Sequence, residues 1–149
     1  MKKVKQEKLS YERRNFWKET TLDEQKKAFA YAEPYIKFLN EAKTERETIA
    51  YTLSILQQNK FTPLGKKGSH KVYSVFRNKT MAMAVIGSEP ISKGFNMVAA
   101  HIDSPRVDLK QNPLYEDSNS ALSCMHTHYY GGIKKYQWVS TPLALHGVI

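Results

Sequence analysis

A chain of 149 residues with 41% hydrophobic content is long enough to bury a sizeable core in one or two structural units. No apolar run approaches the roughly 18 residues that a membrane helix needs, and the charged start Met1-Lys-Lys-Val-Lys5 has no apolar segment behind it, so it does not read as a secretory signal. A single cysteine, Cys124, excludes an intrachain disulfide and fits a reducing compartment, so a cytoplasmic setting is expected. The net charge of +9 gathers in residues 1–18 and 60–79 without the motif of any nucleic-acid module, so a solvated basic surface is expected there, with no nucleic-acid or membrane partner.

In chain order, residues 1–18 read as a basic leader docking through Tyr11, Phe16 and Trp17. Thr21-Leu-Asp-Glu24 has the Thr-x-x-Glu form of a capping box, with acids at the positive end of the helix dipole. Pro34 either kinks that helix or starts a second, with Tyr35, Ile36, Phe38 and Leu39 as the expected buried side. Thr44-Glu-Arg-Glu47 repeats the capping box, and Ile49, Leu53 and Leu56 follow at amphipathic spacing, which predicts a helix ending near Asn59, before the break at Thr62-Pro63. Gly65-Lys-Lys-Gly68 is too short and too far from a strand-to-helix turn to cradle phosphate, and reads as a loop. Two β-type segments, 71–77 and 81–86, predict a hairpin, and 86–94 a surface loop.

The centre of the chain is Phe95-Asn-Met-Val-Ala-Ala-His-Ile-Asp-Ser-Pro105, which reads as the end of a buried strand. On a strand His101 and Asp103 share one face, about 6.6 Å apart at Cα, with Ile102 turned into the core. Pro105 is expected to stop strand pairing. A carboxylate beside one imidazole nitrogen sets the tautomer and frees the other nitrogen for a metal. A buried histidine satisfied by a neighbouring acid gives the same pattern, so spacing alone leaves both roles open.

Residues 106–117 read as extended and turn-rich, with Asp108, Lys110 and Glu116 as ordinary surface groups. Cys124, His126 and His128 would share a strand face, but three ligands spread over about 13 Å of extended chain do not converge on one ion. Tyr130-Gly-Gly132 predicts a turn with close backbone approach, Tyr136 and Trp138 read as packing or interface residues, and 142–149 as a strand-like apolar run.

Val98-Ala-Ala-His-Ile-Asp-Ser-Pro-Arg-Val-Asp-Leu109, with Lys110-Gln-Asn-Pro-Leu-Tyr-Glu-Asp117 and His128-Tyr-Tyr-Gly-Gly-Ile-Lys-Lys-Tyr-Gln-Trp138, resembles the aspartyl aminopeptidase family, the eighteenth family of metallopeptidases, and in particular its bacterial aminopeptidase 1 branch. The resemblance runs from near residue 10 to the last residue. It implies an α/β fold: the N-terminal part of a two-zinc aminopeptidase catalytic domain, helices packed on a mixed sheet, in residues 1–115, and the start of an inserted β-rich dimerisation domain in 116–149. It also implies His101 as a zinc ligand, Asp103 as the catalytic residue that orients it, two divalent ions per complete site, a peptide substrate and a homo-oligomer built on dimers. The remaining ligands and the glutamate that takes a proton from water are expected beyond residue 149, so the chain reads as an inactive fragment of an enzyme that removes N-terminal amino acids. A non-catalytic assembly module and a small basic nucleic-acid binder stand as alternatives.

Overall fold

The computed structural model describes residues 13–148, so Tyr11 and Ile149 lie outside it. These residues divide into two compact units, one ending at Lys37 and one beginning at Phe38.

In the first unit, α1 (Phe16–Glu19) is capped by Asn15, whose side chain accepts from the Trp17 N–H. The helix α2 (Leu22–Glu41), whose end from Phe38 onward belongs to the second unit, starts at the expected box: the Glu24 N–H donates to Thr21 Oγ1 (3.3 Å), and the Thr21 N–H to Glu24 Oε2 (2.8 Å). Of the expected docking residues, Trp17 lies 5.3 Å from the Phe29 ring and 5.2 Å, edge-on, from Phe16. Pro34 sits inside one continuous helix, so no second helix begins there. The expected buried side does not form: Tyr35, Ile36 and Leu39 are 60%, 48% and 45% exposed, and only Phe38 is half-buried, 5.4 Å from the Tyr51 ring. Apolar spacing marks a side chain as fit for burial, but burial needs a layer to cover it.

The second unit is built on α3 (Glu45–Gln58), which has the full capping box at Thr44 and Glu47 and ends at Asn59. Ile49 and Leu56 are buried and Leu53 half-buried, as the spacing predicts. The helix packs on a three-stranded mixed sheet in the order β1 (Thr62–Pro63), β2 (Lys71–Phe76), β3 (Thr80–Val85). Strands β2 and β3 form the predicted hairpin, closed by Arg77 and Asn78 at φ 50° and 53°, the paired left-handed conformation of a type I′ turn. Thr62-Pro63 turns out to be more than a helix stop: it is a short strand parallel to β2, and proline fits there because an edge strand can spare a donor.

A second sheet pairs β4 (Arg106–Asp117) with β5 (Leu122–Tyr130). The turns expected within 106–117 are absent; that stretch is one strand. Its register runs from Arg106↔Tyr130 to Leu109↔Thr127, then resumes at Leu114↔Met125, leaving Pro113 in the irregular step where no ladder donor is required. The turn itself follows Asp117, whose carboxylate accepts from the Asn119 N–H and the Ser120 hydroxyl. Beyond β5 lies the short helix α4 (Lys135–Trp138).

Three expectations are overturned. Residues 94–105 form no strand, Met97 and Val98 are 77% and 96% exposed, and Ile102 is only half-buried. Pairing begins after Pro105 instead of ending there. Nor is 142–148 a strand. An apolar run becomes a strand only when another backbone supplies its hydrogen bonds, and neither segment has such a partner among the described residues. The expected sizeable core is small: the described buried residues are Ala42, Thr48, Ile49, Leu56 and Val72.

Residues 142–148 are held instead by a side chain. The His146 Nδ1–H donates to Glu47 Oε1 (2.7 Å), while Glu47 Oε2 accepts from the Lys43 and Thr44 N–H groups (2.9 Å each). The histidine is the largest influence holding the Glu47 carboxyl below the usual glutamate range.

Three outcomes follow from this packing. Thr44→Ala lowers stability by about 1 kcal/mol, read as loss of helical ellipticity at a lower denaturant midpoint. Because its folded-state pKa is depressed, Glu47 contributes stability that is fully present above its unfolded pKa of about 4.3 and lost as pH falls through the lower folded value; Glu47→Gln flattens that part of the acid-unfolding curve. The purified 149-residue chain binds an apolar fluorescent dye and has a shallow denaturant slope for its length; a dye-silent chain with a steep transition would contradict the exposed surface described above.

Candidate metal centre

The site is a relay of side chains between the unpaired segment ahead of β4 and the end of the second sheet. His101 Nδ1 lies 3.0 Å from Asp103 Oδ1 and 3.0 Å from the Asp103 carbonyl oxygen. Both neighbours accept only, so Nδ1 carries the proton and the Nε2 lone pair is left bare. The His101 side chain is 83% exposed, which leaves Nε2 open to a ligand. The histidine is therefore not the satisfied buried group that spacing also allowed.

The second carboxylate oxygen of Asp103 accepts from the Tyr130 hydroxyl at 3.0 Å. That bond, followed by the residue's own backbone and the His101 ring, holds the Asp103 carboxyl below the usual aspartate range; the same carboxylate pushes the Tyr130 hydroxyl up. Behind Tyr130, the Arg106 guanidinium lies 4.1 Å from the ring centroid. Arg106 donates through Nε to Asp108 Oδ1 (2.8 Å) and through Nη1 to Glu45 Oε1 (2.9 Å), the first residue of α3. Asp108, then Glu45, raise the arginine pKa against the opposing effect of burial.

Backbone shape brings Tyr130 to this place. Gly131 has φ +76°, and a Cβ there would meet Pro105 Cα at 3.4 Å, so the turn is the close approach that Tyr130-Gly-Gly132 implied.

Other groups weighed from the sequence stay apart. His126 stacks on Tyr115 (4.0 Å between ring centroids), and His128 tilts against Tyr129. The Cys124 thiol is the main influence raising the Tyr115 hydroxyl. Among the described residues, no three His, Cys, Asp or Glu side chains are grouped to hold an ion. A cleft of about 560 Å³, lined by Leu39, Ala42, Trp138, Leu143 and Leu145 among others, does not include His101 or Asp103. Tyr130, Arg106 and Glu45 were not legible as site residues: tyrosine has no ligand signature, and the ion pair joins positions 61 residues apart.

As a donor set, the pair fits zinc. A neutral imidazole with its far nitrogen fixed by a carboxylate is the usual first ligand and its support. The described residues supply one such ligand, whereas a catalytic zinc site takes three from protein.

No helix among the described residues is long and apolar enough to cross a membrane. The chain is 43% identical over 149 residues to a probable M18 family aminopeptidase 1 of Clostridium acetobutylicum, covering 95% of this chain and 32% of that protein. A probable M18 family aminopeptidase 1 of Thermotoga maritima is 43% identical over 145 residues, with 95% and 31% covered. Among solved structures, aminopeptidase I from Borrelia burgdorferi B31 matches with TM-score 0.78 at 40% identity, over 87% of this chain and 32% of that one. Aminopeptidase I from Clostridium acetobutylicum matches with TM-score 0.66 at 42% identity, over 87% and 30%. The α/β character, with helices on a mixed sheet, is thus that of the aminopeptidase I structures, and the chain spans about a third of the length of these relatives. The model of the aminopeptidase I zinc metalloprotease (M18) family matches residues 38–149, well over half of the sequence, and the chain belongs to that family.

Proposed function

We propose that this chain is the N-terminal part of a zinc aminopeptidase that hydrolyses N-terminal amino acids from peptides, with His101 as a metal ligand and Asp103 as the residue that orients it. The observation that carries the reading is the place of His101 Nδ1, 3.0 Å from two oxygens of Asp103 that only accept, which assigns the proton to Nδ1 and leaves the exposed Nε2 as the nitrogen for zinc. Zinc, when bound, supplies the Lewis acidity that activates water and polarises the scissile carbonyl. The part of this chain is to present one nitrogen in a fixed direction and to add a carboxylate that makes it a better donor.

The finer features belong to the same reading. Two ions occupy the complete site, with the remaining ligands and the proton-accepting glutamate on sequence outside this chain. Residues 116–149, with β5 and α4, begin an inserted β-rich domain through which subunits pair as dimers within a larger homo-oligomer. The protein acts in the cytoplasm. β4 and β5 pair with each other and not with the sheet under α3, and the division at 115/116 falls within β4.

With one ligand among the described residues, the 149-residue chain is expected to hydrolyse no aminoacyl substrate; zinc-dependent turnover by the pure chain would overturn the assignment of the other ligands elsewhere. In the longer protein, His101→Ala lowers zinc content by elemental analysis and abolishes turnover. Asp103→Asn reduces zinc affinity or activity about 10- to 100-fold while subunit assembly, read by sedimentation, is unchanged. Full zinc content in the His101→Ala protein would remove that residue from the metal centre.

A further inference from the structure

The segment that carries His101 and Asp103 lacks strand partners among the described residues, so no ladder of backbone hydrogen bonds sets the direction of the Asp103 carboxylate. What ties that carboxylate to a hydrogen-bonded element is the Tyr130 hydroxyl, 3.0 Å from Oδ2 on the side opposite His101. Tyr130 is itself well fixed. It pairs with Arg106 at the end of the hairpin, its ring lies against the Arg106 guanidinium, and Gly131 beyond it packs on Pro105. Arg106 is held from two further sides by Glu45 and Asp108.

We propose that Tyr130 is a positioning residue of the metal centre: its hydroxyl holds the Asp103 carboxylate in the orientation that keeps the His101 proton on Nδ1 and Nε2 free for the metal. A carboxylate with one oxygen on the imidazole and the other unanchored is free to rotate about its terminal torsion, which is broad for aspartate. With Oδ2 fixed by a phenol donor, rotation breaks a charge-assisted hydrogen bond. The hydroxyl therefore acts on the imidazole at one remove, through the acid. This rests on the reading of His101 and Asp103 given above.

The test reads the tautomer directly, without metal. Histidine is labelled with nitrogen-15 in the 149-residue chain, and the His101 ring is assigned by its loss in His101→Ala. Its two nitrogens are then compared in the unmodified chain and in Tyr130→Phe, Tyr130→Ala and Asp103→Ala. The unmodified chain is expected to show His101 with its proton on Nδ1. Tyr130→Phe keeps the ring on Arg106 yet is expected to lose the single-tautomer pattern as fully as Tyr130→Ala, because only the hydroxyl reaches Asp103. A structural role for the ring would leave Tyr130→Phe like the unmodified chain, and that result overturns the proposal. Asp103→Ala separates the two levels: if it too leaves the tautomer unchanged, the pairing of His101 with Asp103 fails. If it alone disturbs the tautomer, only the role of Tyr130 fails. Cross-strand contacts between Val107 and Tyr129 report the hairpin in every variant. Their absence from the unmodified chain, or their loss in Tyr130→Phe, overturns the proposal as well, since the hydroxyl would then not be acting on Asp103 from a fixed strand end.

Discussion

Arg106 is the point through which the second unit holds together. One guanidinium donates to the first residue of α3, donates to its own strand at Asp108 and lies on the ring of Tyr130, so helix, hairpin and site segment meet on a single planar cation. Lysine could not do this: a point charge on a flexible stem offers neither two donors in a rigid plane nor a flat face for the ring. The side chains of Arg106 and Glu45 are 28% and 23% exposed, sheltered enough for the attraction to be less screened than at an open surface and wet enough to avoid the full desolvation cost. Glu45 is suited to the pairing for a second reason, since a carboxylate in the first turn of α3 also meets the positive end of the helix dipole.

A similar economy holds residues 142–148. Glu47 closes the capping box with one oxygen and takes His146 with the other, so the start of α3 anchors both the entry to β4 and the final apolar stretch described. Both ties are polar and both lie within the helix's first turn. The apolar contribution is thin by comparison. With Ile49, Leu56 and Val72 as the main buried hydrophobes, the hydrophobic term that ordinarily dominates folding is small for a chain of this length. Side chains such as Met97, Val98, Leu143 and Leu145 have the composition of an interior and the exposure of a surface. The same fact bears on chemistry. A metal centre gains much of its electrostatic strength from excluding water, and the His101 side chain, 83% open to solvent, lacks that shelter among the described residues.

What could be read along the chain was local. Both Thr-x-x-Glu boxes closed as expected, α3 turned its predicted face inward, and the β2–β3 hairpin formed, because each depends on interactions within a few residues. The family was legible too, since three long motifs around His101, Pro113 and Gly131 carry more information than any spacing rule. His101 and Asp103 do meet, though not as neighbours on a strand face: the segment is no strand, and the bond closes locally.

Long-range facts were not legible. Whether 95–105 and 142–148 become strands depends on which backbones lie beside them, and strand partners are chosen across the fold, not within the run. The buried side expected on α2 failed likewise: among the described residues Ile36 and Leu39 stay about half exposed. Legible along the chain were the starts of α2 and α3, the β2–β3 hairpin and the family, with His101 as the candidate metal residue. Tertiary structure alone decided that Arg106 joins Glu45 across 61 positions and that Tyr130 reaches Asp103 across 27, because such contacts arise from register and chain reversal, which no local pattern encodes.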